Sequence, residues 1–143
     1  MNAEQVVREL IARFATSRFA EAYELYAPAA EISVEFAFPE RVVVTGTEGW
    51  STTPPRLYSD LEVRDLVVYR TDDPAVVIAE WTYVSQINGQ LIENGNIVVV
   101  EVRDGLIVRS RDYHDHLRRA LADGTAPDLA ARLQAAAERV DGA

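Results

Sequence analysis

Two turns in the second half of the chain constrain its fold more than any other feature. An Asn-Gly pair and an Asp-Gly pair separate three runs of alternating character, 75–87, 90–102 and 106–114. Asn88-Gly89 favours a two-residue type I′ hairpin, since both of its positions need a positive φ. The register that follows pairs Ile87 with Gln90, Tyr83 with Asn94, Trp81 with Asn96, Ala79 with Val98 and Val77 with Val100.

The second turn allows two registers, and the hydrophobic pattern favours one of them. A two-residue Asp104-Gly105 loop would place Val100 beside Arg109 and so mix core with charge. A three-residue loop over 103–105, with its glycine in the left-handed position, keeps apolar residues together. We therefore predict the pairs Val102–Leu106, Val100–Val108, Val98–Ser110, Asn96–Asp112 and Asn94–His114.

One face of this predicted sheet runs from an apolar end to a polar end. The apolar end contains Val77, Val100, Val102, Leu106 and Val108, and the polar end contains Trp81, Tyr83, Asn94, Asn96, Asp112 and His114. Apolar walls with a few converging polar groups are typical of a small-molecule pocket. On the reverse face, Ile78, Ile97, Val99 and Ile107 lie among charged residues, and this apolar area predicts a homodimer through sheet-to-sheet packing.

Composition narrows the classes of partner. A net charge of −9 over 143 residues argues against nucleic acid, which would require clustered basic residues. The absence of cysteine excludes a disulfide framework, thiolate catalysis and cysteine-ligated zinc. No apolar run approaches the length of a membrane span and no cleavage signal is evident, so we expect a cytoplasmic protein with no membrane partner.

Periodicity assigns the remaining elements within one domain, 1–143, whose core covers about 3–124. Helices are predicted over 2–14 with Asn2 as N-cap, over 19–27, and over 127–140, with a helical turn at 117–121 closed by Gly124. Strands are predicted over 31–38, 41–45 and 61–70. The loop 46–55 reads as a pocket rim around a very short helix. Trp50 and the nearby Tyr58 either contact a ligand there or cover the sheet edge.

A short sequence motif in the third run resembles that of a known protein family. Asp104-Gly105-Leu106-Ile107, followed by Arg111-Asp112-Tyr113-His114-Asp115, resembles the "dGkIv…rdYfD" ending of SnoaL-like polyketide cyclases in the nuclear transport factor 2-like superfamily. Glu80 and Glu93-Asn94 resemble the small phenazine-biosynthesis proteins of that group. The resemblance covers roughly 6–124. It implies an α+β fold, a cone-shaped curved antiparallel or mixed sheet with N-terminal helices over its concave face, as in a cystatin-like α+β barrel.

Two mechanisms known in this superfamily do not transfer to the chain. The catalytic Asp of limonene-epoxide-hydrolase-like members corresponds to Asp112, but the Arg and second Asp of their triad would fall at Trp81 and Tyr83. The helix-1 Tyr of ketosteroid isomerases falls at Leu10, and only Glu35 could serve as their first-strand base. The superfamily also hosts hydrolases, dehydratases and non-catalytic binders, so the resemblance implies the fold more narrowly than the reaction.

Asp112 is the residue that we expect to carry the chemistry. A carboxylate near apolar walls suits proton transfer near neutrality, and Asn96, directly opposite in the predicted register, could fix its orientation. The alternative is a structural Asp satisfied by backbone amides or by an arginine. His114 would be a base, an acid or a ligand anchor, or only an exposed rim residue. The hydroxyl of Tyr83 could donate to a developing oxyanion.

The remaining candidates are expected to bind the substrate. They are Trp81, Asn94, Asn96, Glu35, Trp50 and Tyr58. His116 is predicted to face solvent. Asp112 and His114 could be two ligands of a metal ion, but no third ligand has suitable spacing, so we expect no metal and no other cofactor.

The sequence is compatible with three functions. The first is a cofactor-independent acid/base enzyme, a cyclase, isomerase or dehydratase of natural-product biosynthesis that acts on a largely apolar, carbonyl-bearing molecule. The second is a small-molecule binder or accessory protein without chemistry. The third, an epoxide hydrolase with a rearranged set of residues, has less support.

Overall fold

The computed structural model describes residues 1–52 and 61–142, and it has four helices and six strands within that part of the chain. The helices are α1 Ala3–Ala15, α2 Phe19–Tyr23, α3 His116–Asp123 and α4 Ala126–Gly142. The strands are β1 Tyr26–Val34, β2 Val42–Thr45, β3 Glu62–Arg70, β4 Val76–Ile87, β5 Gln90–Arg103 and β6 Leu106–His114. They form one curved mixed sheet in the order β2-β1-β6-β5-β4-β3, with β1 and β6 parallel and the other neighbours antiparallel. The predicted α+β class is confirmed.

Helix α1 covers the sheet because its sequence supplies both an apolar stripe and a strong start. The Asn2 side chain accepts a hydrogen bond from the Gln5 backbone N–H, and the Gln5 side chain accepts one from the Asn2 backbone N–H, each at 2.9 Å. This capping box satisfies two N–H groups that a helix start leaves unpaired. The stripe Val6, Val7, Leu10 and Ile11 is at most 4% exposed and packs against β3, β4 and β5.

The second helix is shorter than the predicted range 19–27. It ends at Tyr23, and β1 begins at Tyr26, so Pro28 lies in a strand instead of terminating a helix. The Ile107 backbone N–H donates to the Leu25 carbonyl at 2.8 Å, which ties this segment to β6. A parallel partner distant in sequence thus overrides the local helical pattern, and the predicted strand 31–38 becomes Tyr26–Val34.

The register of the first hairpin is confirmed, whereas that of the second needs a correction. Every predicted β4–β5 pair is present, from Ile87–Gln90 to Val77–Val100. The second turn is the rejected two-residue loop, in which Asp104 and Gly105 have φ values of 51° and 77°. A β-bulge then places the extra residue Val108 between the pairs Val102–Ile107 and Glu101–Arg109.

The bulge restores the segregation of core and charge without a longer loop. The pairs that follow it are Val100–Ser110, Val98–Asp112 and Asn96–His114, so each inward residue of β6 lies one pair away from its predicted partner. Ile107 is fully buried in the core and does not belong to the reverse face. On that face Ile97 is 41% exposed, and the homodimer stays a prediction.

The C-terminal helices close the fold at one end of the sheet. Asp115 caps α3 through a bond from the Arg118 backbone N–H at 3.0 Å. Gly124, which was predicted to close a helical turn at 117–121, ends this longer helix in the left-handed conformation. Helix α4 confirms the predicted final helix, and Leu129 is the one buried residue in its described part. Within the described residues, none of the helices combines the length and apolar character needed to cross a membrane.

Candidate functional site

The concave face of the sheet and the N-terminal helices enclose a cavity of about 320 Å³. This volume lies in the range of small-molecule sites. Its apolar wall contains Leu10, Ile11, Phe14, Phe19, Tyr23, Tyr26, Val34, Trp50, Leu61, Trp81, Tyr83 and Val98. Its polar lining contains Asn94, Asn96, Asp112, His114 and Arg119. The cavity therefore combines an apolar wall with a group of polar side chains, in agreement with the predicted face of the sheet.

Aromatic rings from α1, α2 and the loop after β2 form a continuous part of the wall. Phe14 packs edge-on against Phe19 and Tyr23, with ring centroids 5.4 and 5.9 Å apart. Tyr23 packs in the same way against Trp50 at 5.2 Å. Trp50 thus lines the cavity, where the sequence had left a ligand contact or an edge cover open. Tyr58, the other rim candidate, lies outside the described residues.

Asp112 lies at the polar end of the cavity and is held by its neighbours on β6. The Ser110 hydroxyl, fully buried, donates to Asp112 Oδ1 at 2.5 Å. The other carboxylate oxygen, Oδ2, is 3.8 Å from His114 Nε2. None of the described arginines forms an ion pair with Asp112, and its predicted partner Asn96 pairs with His114 instead. Ser110 replaces Asn96 as the group that orients the carboxylate, because the bulge moves the register by one pair.

The hydrogen bonds of Asn96 fix the proton position on His114. Asn96 Nδ2 donates to the backbone carbonyl of Asn94 at 2.8 Å, and a carbonyl can only accept, so the amide oxygen must face the imidazole. Asn96 Oδ1 lies 2.7 Å from His114 Nδ1, which therefore carries a proton. In the neutral ring the lone pair is then on Nε2, the nitrogen nearer to Asp112. The arrangement presents two proton acceptors side by side.

Two polar atoms in the cavity lining have no partner among the described residues. They are the indole Nε1 of Trp81 and the side-chain oxygen Oδ1 of Asn94, both buried. Buried polar atoms are usually hydrogen-bonded, so an unpaired donor and an unpaired acceptor at one cavity are the features of a binding site. Trp81 also packs edge-on against Tyr83, another lining residue, at 5.6 Å.

Tyr26 is a cavity residue that the sequence placed in the predicted helix 19–27 and not among the site candidates. Tyr26 is 8% exposed. Burial, together with the nearby Asp112 charge, raises the pKa of the Tyr26 phenol well above its ordinary value, and a hydrogen bond with Ser110 partly offsets this rise. The phenol therefore remains a hydrogen-bond donor at neutral pH. No sequence signal placed it near Asp112, because its position depends on the parallel pairing of β1 with β6.

Glu35 lies away from the cavity, which corrects its prediction as a substrate-binding residue. Val34 lines the cavity, so the next side chain projects from the other side of the sheet. Glu35 Oε1 accepts a hydrogen bond from the Ser33 hydroxyl at 2.7 Å and is 3.7 Å from Arg41 Nη1. A carboxylate engaged in this way is a structural group of the sheet edge.

His116 and Arg119, both on α3, also differ from expectation. His116 is half-buried instead of solvent-facing, its Nε2 has no partner in the described chain, and burial together with the charges of His114 and Arg119 lowers its pKa. Arg119 was not singled out by sequence, yet it lines the cavity. Helical spacing alone does not reveal that this helix closes over the sheet. As for metals, the described part of the chain contains no group of three or more acidic or histidine side chains that could hold one.

Comparison with solved structures places this architecture among known folds. A candidate isomerase from Bacillus subtilis is 26% identical, with a TM-score of 0.67 over 86% of this chain and 93% of that one. A candidate polyketide cyclase from Xanthomonas campestris is 20% identical, with a TM-score of 0.64 over 85% of this chain and 95% of that one. A hypothetical protein from Catenulispora acidiphila, with a ketosteroid isomerase-like fold and bound trimethylamine, is 18% identical, with a TM-score of 0.62 over 83% and 92% of the two chains.

These similarities confirm the fold that the resemblance implied. The chain has the fold of these structures, one of which is described as ketosteroid isomerase-like. No protein-family model and no curated protein matches the sequence.

Proposed function

We propose that the protein is a cofactor-independent acid/base enzyme for a largely apolar, carbonyl-bearing small molecule, of the cyclase, isomerase or dehydratase type. The observation that carries this proposal is the pair Asp112 and His114 at the polar end of an otherwise apolar cavity, 3.8 Å apart and without an arginine ion pair at Asp112 in the described chain. Structural neighbours described as candidate cyclases and isomerases support the same class. The polyketide cyclase neighbour makes natural-product biosynthesis the favoured setting.

The chemistry follows from where a carbonyl substrate would lie. The Asp112 carboxylate takes a proton from the carbon next to the carbonyl, and the C–H electron pair forms an enolate whose charge rests on oxygen. The hydroxyl of Tyr83, which lines the cavity, serves as a donor to that oxygen, whereas the phenol of Tyr26 is hydrogen-bonded with Ser110 and supports the carboxylate. Return of the proton at another carbon gives isomerisation, and attack of the enolate carbon on a second carbonyl gives cyclisation.

His114 complements Asp112 in this scheme. The lone pair of its Nε2 can receive the proton from the carboxyl group and later return it to the substrate oxygen or to a leaving hydroxyl. A positioned acid or base of this kind contributes about 10²–10⁴-fold in rate. The apolar wall around the pair disfavours the entry of water that would otherwise quench an enolate.

Deuterium exchange tests the proposal without knowledge of the natural substrate. A panel of apolar cyclic and β,γ-unsaturated ketones is incubated with the protein in heavy water, and mass spectrometry measures deuterium uptake next to the carbonyl. Asp112→Asn should lower the exchange rate of any accepted ketone by about 10²–10⁴-fold, because it removes the base.

Asp104→Asn is the matched control for this experiment. It makes the same chemical change in the turn between β5 and β6, away from the cavity lining, where asparagine tolerates the positive φ of 51°. Its exchange rate should equal that of the wild type, and circular dichroism should report the same fold for both variants. Undiminished exchange in Asp112→Asn would contradict the assignment of the base.

A non-catalytic binding protein is the second candidate, and one observation favours it. The unpaired Trp81 N–H and Asn94 oxygen are recognition groups that proton transfer does not need. If the wild type binds the ketones but exchanges no deuterium, and Asp112→Asn binds them equally well, this function replaces the first.

A further inference from the structure

Among the described residues, Arg119 is the one arginine that lines the cavity. The sequence contains no lysine, so all 14 of its permanently basic side chains are arginines, set against 23 acidic residues. Most of the described arginines use the guanidinium group in an ion pair with a carboxylate. Examples are Arg8–Glu4, Arg13–Glu9, Arg64–Glu62, Arg103–Glu101, Arg109–Glu31 and Arg118–Asp115.

The guanidinium of Arg119 has no such partner in the part of the chain that the structure describes. Its backbone N–H donates to the Asp115 carbonyl at 3.0 Å, which is an ordinary helix-start bond. Arg118, the preceding residue, directs its guanidinium to Asp115 Oδ2 at 3.1 Å and does not line the cavity. In a protein of net charge −9, an arginine that lines a cavity and forms no ion pair is available for an external anion.

The position of Arg119 places that anion at the cavity entrance. Arg119 is exposed and also lines the cavity, so it lies where the cavity meets solvent. Asp112 lines the same cavity, and the two form no ion pair, so this carboxylate does not neutralise the guanidinium. The other side chains that line the cavity are aliphatic groups, aromatic groups or neutral amides, apart from the imidazole of His114.

We propose that the ligand is an apolar molecule with a carboxylate group, which Arg119 binds at the cavity entrance while the apolar body fills the cavity. Its carbonyl then lies near Asp112, and this part of the assignment rests on the proposed function. A single guanidinium matches one carboxylate through two parallel hydrogen bonds. A dianionic phosphate would need more donors than one arginine and would be repelled by Asp112. The substrate class is therefore an apolar oxo-carboxylic acid.

A pair of nearly isosteric probes tests the anion site separately from catalysis. Naphthalene-2-carboxylate and naphthalene-2-carboxamide share the apolar body and differ in charge. Both tryptophans of the chain, Trp50 and Trp81, line the cavity, so quenching of intrinsic fluorescence reports binding of either probe. The wild type should bind the carboxylate about fivefold more tightly than the carboxamide, the factor that corresponds to about 1 kcal/mol for a partly exposed charge pair, and added salt should reduce this preference.

Matched variants assign the preference to one residue. Arg119→Gln should remove the fivefold preference by weakening the carboxylate alone, whereas Arg118→Gln, next to it on α3, should retain the preference. The proposal is overturned if the wild type shows no preference, whether both probes bind equally or neither binds. It is also overturned if Arg119→Gln keeps the preference.

The Asp112→Asn variant distinguishes failure of this inference from failure of the proposed function. It should keep or increase the preference for the carboxylate, because it removes a like charge without touching the entrance. Loss of deuterium exchange together with a retained preference supports both ideas. Retained preference in a protein that never exchanges deuterium supports the anion site in a binding protein.

Discussion

The proton position on His114 gives a sharp test of how the polar end of the cavity is organised. In the native protein, the Asn96 amide oxygen accepts from His114 Nδ1 at 2.7 Å, and its orientation is set by the Asn94 carbonyl. Asn96→Leu removes that acceptor and keeps a side chain of similar volume at a site that is 5% exposed. The Nδ1–H then loses its acceptor, so the population of the Nε2–H form should rise.

The size of the effect follows from one hydrogen bond. A buried neutral hydrogen bond contributes about 0.5–1.5 kcal/mol, and 1.4 kcal/mol corresponds to a factor of ten. The ratio of the Nδ1–H to the Nε2–H form should therefore fall by about twofold to tenfold in Asn96→Leu. With Nε2 protonated, the ring can no longer accept a proton from Asp112. We expect turnover to fall while the affinity for an uncharged probe changes little.

Nitrogen-15 NMR of the imidazole rings measures the two forms directly at a pH where the rings are neutral. The chain has only two histidines, so a His116→Gln variant assigns the signals. Asn94→Leu is the control, because it makes the same replacement two residues earlier on β5, where the side-chain oxygen has no partner among the described residues. A wild type that holds the proton on Nε2, or an Asn96→Leu variant whose ratio of the Nδ1–H to the Nε2–H form equals that of the wild type, would refute the reasoning.

Two further predictions concern stability. Burial lowers the His116 pKa below 6.5, so between the lowered value and 6.5 the unfolded chain binds more protons than the folded chain, and the free energy of unfolding should rise with pH. In urea titrations, His116→Gln should therefore show a smaller rise in the free energy of unfolding between about pH 5 and about pH 8 than the wild type. An equal rise in both proteins would contradict burial of His116 as the cause. Gly46→Ala should destabilise more than Gly49→Ala. Alanine with a positive φ costs about 1–2 kcal/mol at either position, but only at Gly46 would the new methyl group lie 2.6 Å from the Pro28 carbonyl oxygen. Equal urea midpoints for the two variants would show that this contact does not destabilise the protein.

Much of the fold follows from features that act within a few residues. The Asn88-Gly89 turn determines the entire β4–β5 register, because a type I′ turn leaves its flanking strands one alignment. Asn2 and Gln5 determine where α1 begins. Strand alternation places Asp112 and His114 on the same face as Asn96. This holds even with the wrong loop length, because the shorter loop and the bulge together shift the β5–β6 pairing by two residues, and a shift of two keeps every side chain on its face.

The tertiary structure decided the rest, because those features depend on segments that are far apart in sequence. The β-bulge at Val108 gives Asp112 the partner Ser110 in place of Asn96, and a bulge is selected by the packing of the whole core. The parallel pairing of β1 with β6 draws Tyr26 out of a helical pattern and into the cavity. The closure of α3 over the sheet brings Arg119 to the cavity entrance. Sequence thus determined which face carries the chemistry, and long-range packing determined which groups meet on it.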